Sequence, residues 1–343
     1  METRKVQLSG GTTYTVSLPK SWAQEHGIEA GSVLSLRPNG DGSLVVEAAS
    51  GRTSSEETAS VDVSTAGAEA VSQTVLGLYA IGCDEVVLVD PTGHPAGRRQ
   101  TVEETVEGLS GFEMLETTDT RLRLTNLVDA ENVDVRKIAL RLRLVALAMH
   151  RDSVTAVTNG DAALAERVVD RDSEADKLFV MVTRYFRRAL SDLHEVEKLG
   201  GTRDELFEFY YTCRQFERIA DHAEKIAGFV GGSGAPPPGT FADRIQSFGD
   251  RARGVIDDAA DVVLADGSIE TAHGAIAARD DLVADIQALD RELYDHEVPE
   301  EAHAGGLILD SLRRTAAYGG NVAEVAVQQV LREQRDSETG TTG

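Results

Sequence analysis

Apolar residues recur at alternating intervals of four and three through most of the second half of this chain. One such seam has eight positions: Val168, Asp172, Ala175, Phe179, Val182, Phe186, Ala189 and Leu193. Because this spacing returns to the same face of a helix, it predicts long, packed helices over residues 131–335. The stretch GGSGAPPPG at 231–239 interrupts the pattern. We therefore expect two halves of three long helices each, over 131–230 and 239–335.

Shorter runs with strand-like patterns precede the helical region. Residues 1–50 follow the order strand, strand, helix, strand, strand, with Pro19 in the first turn of the helix. Residues 51–60 are small and polar, which predicts a linker. Residues 61–128 alternate helical and strand-like runs and predict a small α/β segment of unknown role. The tail DSETGTTG, residues 336–343, is predicted to be disordered.

The two helical halves resemble each other. HAEKIA at 222–227 matches NVAEVA at 321–326, an offset of 99 residues that places Arg214 on Arg313. Repetition at a fixed offset predicts two structural units of the same kind.

The charge balance bears on the salt concentration in which the protein works. The 343 residues hold 58 Asp and Glu against 34 Lys and Arg, for a net charge of −24, and only six of the 34 are lysine. Acidic residues spread along the chain with scarce lysine are typical of a halophile, where salt screens self-repulsion. An ordinary acidic cytosolic protein is the alternative.

Neither a disulfide framework nor a membrane segment is predicted. The two cysteines, Cys83 and Cys213, lie far apart, and Cys213 continues an apolar seam. Arg141 and Arg143 break the most apolar run, IALRLRLVALAM. The first residues lack a signal-peptide pattern. We expect a soluble, cytoplasmic protein without membrane insertion.

Carboxylates border the apolar seams of the first half. Asp172 and Asp176 are four residues apart on one predicted helix, and Glu217 and Asp221 are four apart on the next. Residues at this spacing share a face, so two facing helices bring four carboxylates together. Hard oxygen ligands suit a divalent or ferric ion such as magnesium, manganese or iron.

Two alternatives to a metal site stay open. With so many acidic residues, such pairs also arise by chance, and the acids are then an exposed face or are paired with Arg214, Arg218 or Lys225. An oxidative di-iron bundle requires Glu-x-x-His pairs on inner faces. Such pairs occur at Glu270/His273 and at Glu300/His303, both near predicted helix starts rather than mid-bundle.

The second half lacks most of these acids. Ile286 stands where Asp172 maps, and Ala316 and Gly320 stand where Glu217 and Asp221 map. If the acids form a cluster site, the first half carries it and the second half has lost it. The eight histidines are scattered and form no nucleophile motif, so Ser/His/Asp or Cys/His catalysis has no local support.

Residues 1–48, with SLPKSW and GIEAGS as their most specific parts, resemble an AbrB/SpoVT/MazE-type swapped-hairpin domain. That resemblance implies an intertwined homodimer that binds DNA, and the basic residues Arg4, Lys5 and Lys20 are the expected DNA contacts. Fifty residues bury little apolar surface alone, which also favours pairing with a second copy.

Residues 131–332 resemble PhoU, the phosphate-uptake regulator, most specifically in RQFERIADHAEKIA at 214–227. The resemblance implies tandem three-helix bundles with a metal cluster on Asp172, Asp176, Glu217 and Asp221. It also implies a regulator of phosphate uptake, not an enzyme, acting on a phosphate ABC transporter ATPase or its signalling kinase.

Together these features predict a multidomain α+β protein. We expect an N-terminal swapped-hairpin β-barrel over 1–50, a small α/β segment over 61–128, and mainly-α tandem three-helix bundles over 131–230 and 239–335. The first functional hypothesis is a DNA-binding, metal-binding regulator of phosphate uptake. The second is an adaptor that inhibits the transporter through protein contacts without binding DNA.

Overall fold

The computed structural model describes residues 3–38, 43–48, 57–230, 239–293 and 299–340. The chain divides into two compact units, Met1–Glu56 and Glu57–Gly343. In the parts that the structure describes, no helix is both long and apolar enough to span a membrane.

The first unit has the predicted order of strand, strand, helix, strand, strand. Its elements are β1 (Gln7–Ser9), β2 (Thr13–Thr15), α1 (Lys20–Glu25), β3 (Leu34–Pro38) and β4 (Leu44–Ala48). β1 pairs antiparallel with β2, and β3 pairs antiparallel with β4. Gly10 and Gly11 form the first turn with φ values of 66° and 83°, which glycine adopts without strain. The two ladders are separate sheets, and no closed barrel forms among the described residues.

The first unit shows no buried core among its described side chains. None of its residues with described side chains is buried. Seven of its large apolar side chains are more than half exposed: Val6, Leu8, Tyr14, Val16, Val33, Leu36 and Leu44. Exposed apolar side chains of this kind are typical of an interaction surface.

The second unit begins with a small α/β layer. Its elements are β5 (Thr58–Asp62), α2 (Ala68–Ile81), β6 (Glu85–Val89), α3 (Ala96–Glu107), β7 (Phe112–Thr117) and β8 (Arg121–Asn126). The sheet order is β5-β6-β8-β7, in which β5 and β6 are parallel and the other pairs antiparallel. The helical and strand-like runs predicted over residues 61–128 are present as helices and strands in this segment.

The prediction of a linker over residues 51–60 is wrong at its end. Thr58–Asp62 forms β5, an edge strand that pairs along its whole length with β6. The polar run TASVD lacks an apolar signature because an edge strand needs only alternate side chains to face the core. Its partner lies more than twenty residues later, so the pairing has no local signal.

Six long helices make up the rest of the second unit. They are α4 (Val135–Asn159), α5 (Ala162–Ser191), α7 (Arg203–Ala227), α8 (Gly239–Ala265), α9 (Ile269–Glu292) and α10 (Pro299–Gly340), with the short α6 (Leu193–Leu199) between α5 and α7. The prediction of three long helices in each half is confirmed. The predicted break at 231–239 falls mostly on residues outside the described ranges, and α8 starts at Gly239.

The prediction of a disordered tail is also wrong. α10 continues through Gly340, and residues 341–343 lie outside the described part. The residues just before the tail, 332–335, are Arg, Glu, Gln and Arg, which lose little rotamer freedom in a helix, and Arg335 pairs with Asp336 at 3.0 Å.

Local signals set the starts of the helices that matter for the site. The Thr202 and Glu205 side chains form a reciprocal capping box at the start of α7. The Asp161 side chain accepts a hydrogen bond from the Leu164 amide at the start of α5. One apolar core then runs through the helices of both halves, and Cys213 is buried in it as predicted.

A buried arginine joins the α/β layer to α5. Arg184 is fully buried and donates to the carbonyls of Tyr79 and Cys83, at 2.9 and 2.8 Å, and to the Asp84 carboxylate at 2.7 Å. Arg188, one turn later, also binds Asp84, at 2.5 Å. A buried guanidinium with several acceptors fixes the two elements together.

Candidate metal centre

The predicted acids lie where α5 packs against α7. Facing pairs along these helices run in opposite sequence order: Phe179 stacks on Tyr210, and Phe186 contacts Phe207. The two helices are therefore antiparallel. Their facing stripes carry carboxylates at one end and aromatic rings at the other.

Three of the four predicted ligands converge. One carboxylate oxygen from each of Asp172, Asp176 and Asp221 lies within 4.8 Å of the others. Asp172 and Asp221 are partly buried, and Asp176 is exposed. The cluster therefore opens to solvent on one side and reaches the edge of the core on the other.

The fourth predicted ligand, Glu217, is close by but paired with a cation. Its Oε1 atom accepts a hydrogen bond from Arg214 Nη1 at 2.7 Å. Its Oε2 atom is buried without a hydrogen-bond partner, and the residue is only 8% exposed. The structure thus brings together three acids and holds Glu217 one helical turn away, on an arginine.

Burial and mutual repulsion disfavour the ionised forms of these acids. Burial, followed by the charges of Asp176, Glu224 and Asp221, raises the pKa of Asp172 from 3.8 to about 7. The pKa of Asp176 is also raised, by burial and by Asp221 and Glu224. Burial and the charge of Asp221 raise the pKa of Glu217 to about 7, although Arg214 opposes the shift. A bound cation relieves such crowding.

The donor set fits a hard metal ion. Asp172 Oδ1 is buried and has no hydrogen-bond partner, so it has lost its hydration without a replacement. Carboxylate oxygens are the ligands preferred by Mg²⁺, Mn²⁺ and iron. The three aspartates could supply three such ligands.

The alternatives from the sequence have separate outcomes. Arg214 does pair with one acid, whereas the Arg218 guanidinium lies 5.6 Å from the Tyr318 ring centre, toward α10. Glu270 and His273 are exposed at the start of α9. The Glu300 side chain of the other Glu-x-x-His pair lies outside the described residues.

The second bundle has an arginine where the first has an acid. Ile286 and Ala316 are buried core residues. A Cβ atom at Gly320 would lie 2.5 Å from Nη1 of Arg279, so this guanidinium occupies the space beside Gly320. Arg279 pairs with Asp280 at 2.6 Å. Among the described residues, only the first bundle brings three potential ligands together.

Glu224 belongs to the acidic group, although it is not among the four predicted ligands. Glu224 contributes to the raised pKa of both Asp172 and Asp176. It lies three residues after Asp221 and therefore near the same face of α7. That spacing was the available signal.

The predicted DNA contacts lie in the first unit and are exposed. Arg4 and Lys5 precede β1, and Lys20 is the first residue of α1. Their role in binding DNA stays a prediction.

The chain matches two family models. Residues 139–230 match the PhoU domain, and residues 7–54 match the model described as antidote-toxin recognition MazE, bacterial antitoxin. The PhoU match covers most of α4 and all of α5, α6 and α7, including every predicted metal ligand. No curated protein matches this chain.

Two solved structures are similar to the helical part. PhoU from Pseudomonas aeruginosa aligns with a TM-score of 0.52 at 21% identity, covering 59% of this chain and 97% of that chain. The phosphate transport system regulatory protein PhoU from Streptococcus pneumoniae aligns with a TM-score of 0.46 at 18% identity, covering 56% of this chain and 91% of that one. At this identity, the first alignment establishes a similar fold.

Proposed function

We propose that this chain, a PhoU-like protein with an N-terminal MazE/AbrB-like domain, regulates phosphate uptake as a DNA-binding homodimer that carries a metal ion on its first helical bundle. The proposal rests on one observation: the predicted metal ligands lie inside the segment that matches the PhoU domain. The segment that matches the PhoU domain contains all four predicted ligands, and three of them converge on one point. The role is regulatory rather than enzymatic, and it is carried out in the cytoplasm.

The metal ion joins two helices. Asp172 and Asp176 of α5 and Asp221 of α7 hold the ion, and Glu217 is the candidate fourth ligand. When bound, the ion neutralises carboxylates that otherwise repel one another. Binding therefore stabilises the packing of α5 on α7 and responds to the supply of a divalent or ferric ion.

The first unit supplies the dimer. Its exposed apolar side chains, Leu8 and Leu36 among them, are 62% and 60% exposed and have no core within one chain. Two copies that exchange hairpins into a swapped-hairpin barrel cover these side chains. This dimer doubles the basic patch formed by Arg4, Lys5 and Lys20, in a segment whose first 24 residues carry a net charge of +2.

Chromatin immunoprecipitation of the tagged protein in its native host tests the DNA-binding role. With phosphate replete and with phosphate starved, we expect enrichment upstream of phosphate-transport genes that changes between the two states. Arg4→Ala with Lys20→Ala, in the full chain, is expected to remove the enrichment. No enrichment in either state, with the protein well expressed, favours the adaptor instead. A pull-down of the transporter ATPase then tests that role.

Elemental analysis of the purified protein tests the metal site. Wild type is expected to retain a divalent or ferric ion that Asp172→Asn with Asp221→Asn loses. Asp170→Asn is the matched control because Asp170 is exposed on the same helix. Equal metal in wild type and in the double variant would remove the site from the proposal.

A further inference from the structure

Glu217 is close to the three aspartates but is held by Arg214. It lies on α7 one turn before Asp221, and the charges of Asp221 and Asp176 both act on it. Residues four apart share a helix face, so Glu217 already points along the stripe that carries the cluster. Its partnerless Oε2 atom shows that the pair with Arg214 satisfies only half of the carboxylate.

Arg214 is placed to move away from Glu217. Its side chain is 39% exposed, and its guanidinium carbon lies 5.2 Å from the centre of the Phe179 ring. Phe179 comes three residues after Asp176 on α5. The aromatic ring and the solvent give the guanidinium a favourable place when the carboxylate is withdrawn. Arg214 is thus an internal cation at the boundary between the acidic and the aromatic halves of the α5/α7 interface.

The second bundle offers a comparison. Arg313, at the position equivalent to Arg214, pairs backward with Asp310. The residue equivalent to Glu217 is Ala316, so no forward pair exists there. Only in the first bundle, among the described residues, does the arginine at this position pair with an acid three residues later, next to the carboxylate cluster.

We propose that Arg214 competes with the metal ion for Glu217 and thereby sets the affinity of the carboxylate cluster. Without metal, Arg214 binds Glu217, and the cluster consists of three aspartates. When the ion binds, Glu217 leaves Arg214 and becomes the fourth ligand. The exchange lowers the affinity, because each binding event breaks an ion pair, and it makes the ion exchangeable. The inference rests on the proposed metal site, and Arg214 is a positioning residue in it.

Calorimetric titration of Mn²⁺ into chelator-stripped, full-length protein tests the competition. Arg214→Gln is expected to bind Mn²⁺ about five- to tenfold more tightly than wild type, because the competing ion pair is gone. Arg218→Gln is the matched control: it makes the same charge change one turn later on α7 but does not break a bond to Glu217. We expect its affinity to change by less than about threefold.

A second pair of variants isolates the role of Glu217. On a Glu217→Gln background, adding Arg214→Gln is expected to change the Mn²⁺ affinity by less than about threefold, as in the Arg218→Gln control, since the contested ligand is absent. Circular dichroism verifies the helix content of each variant. If wild type binds Mn²⁺ and Arg214→Gln binds no more tightly, or if Arg218→Gln tightens binding equally, the competition is refuted. If wild type binds no Mn²⁺, the metal site itself fails, and the competition fails with it.

Discussion

The raised pKa of Asp172 gives a prediction with a definite sign. Folding raises that pKa from 3.8 to about 7, so the metal-free native state holds a proton that the unfolded state releases. The contribution of Asp172 to the free energy of unfolding is therefore most favourable below about pH 4, and it falls as the pH rises toward 7. Replacing Asp172 by Asn removes the ionisable group, and the amide donates hydrogen bonds to the neighbouring carboxylates.

The size of the effect follows from the shift. Each pKa unit corresponds to about 1.4 kcal/mol, so the full shift corresponds to about 4 kcal/mol. Asp172 is only partly buried. Because solvent screens the repulsion between its carboxylate and the neighbouring ones, the expected effect is about 2 kcal/mol. Asp172→Asn is thus expected to raise the free energy of unfolding by about 2 kcal/mol at about pH 8, and by less than about 1 kcal/mol at about pH 5.

Urea unfolding followed by far-ultraviolet circular dichroism measures the difference, with a chelator present at both pH values. Asp170→Asn, on the exposed side of the same helix, is the control and is expected to change stability little. Adding Mn²⁺ is expected to reverse the order, because wild type offers the proposed ion one more carboxylate ligand than Asp172→Asn does. The reasoning is refuted if Asp172→Asn destabilises the metal-free protein at about pH 8, or if its effect is the same at both pH values.

Three further predictions concern other parts of the chain. Arg184→Met is expected to lower the free energy of unfolding by about 3 kcal/mol, because the Cys83 carbonyl loses its guanidinium donor, the Tyr79 carbonyl retains only the Gly82 amide, and Asp84 loses one of its two arginines; urea unfolding measures the loss, and a change below about 1 kcal/mol contradicts the role of this contact. Leu8→Glu with Leu36→Glu is expected to convert a dimer to a monomer in light scattering, and a dimer that persists would place the interface elsewhere. Raising KCl from about 0.1 M to about 1 M is expected to raise the unfolding temperature, because the net charge of −24 is then screened; a falling temperature argues against the halophile interpretation.

Much of the helical fold follows from the sequence because its signal is local and repeated. The four-three seam through Val168, Ala175, Val182 and Ala189 predicts α5, and all four residues are buried. The same periodicity places Asp172 and Asp176 on the side that meets α7. Three of the four proposed ligands come together for this reason.

Other features depend on contacts that periodicity does not encode. β5 owes its pairing to β6, which lies far along the chain. Arg184 has no signal at its position that predicts complete burial, because its acceptors Tyr79, Cys83 and Asp84 are about a hundred residues away. Whether Glu217 contacts Arg214 or the aspartates depends on side-chain geometry. The sequence alone is compatible with either contact.

Because Arg279 lies beside Gly320, the second bundle can serve as a control, within the same molecule, for the effect of metal on the first bundle. Arg279 places a covalently attached cation in the second bundle, next to the position equivalent to Asp221. That positive charge cannot be removed by a chelator or exchanged for another ion. In a hydrogen-exchange experiment, protection that appears in α5 and α7 on adding metal reports binding. Protection that appears in α9 and α10 reports an effect of metal binding that is passed on through the shared core. One sample therefore distinguishes local binding from its effect on the second bundle.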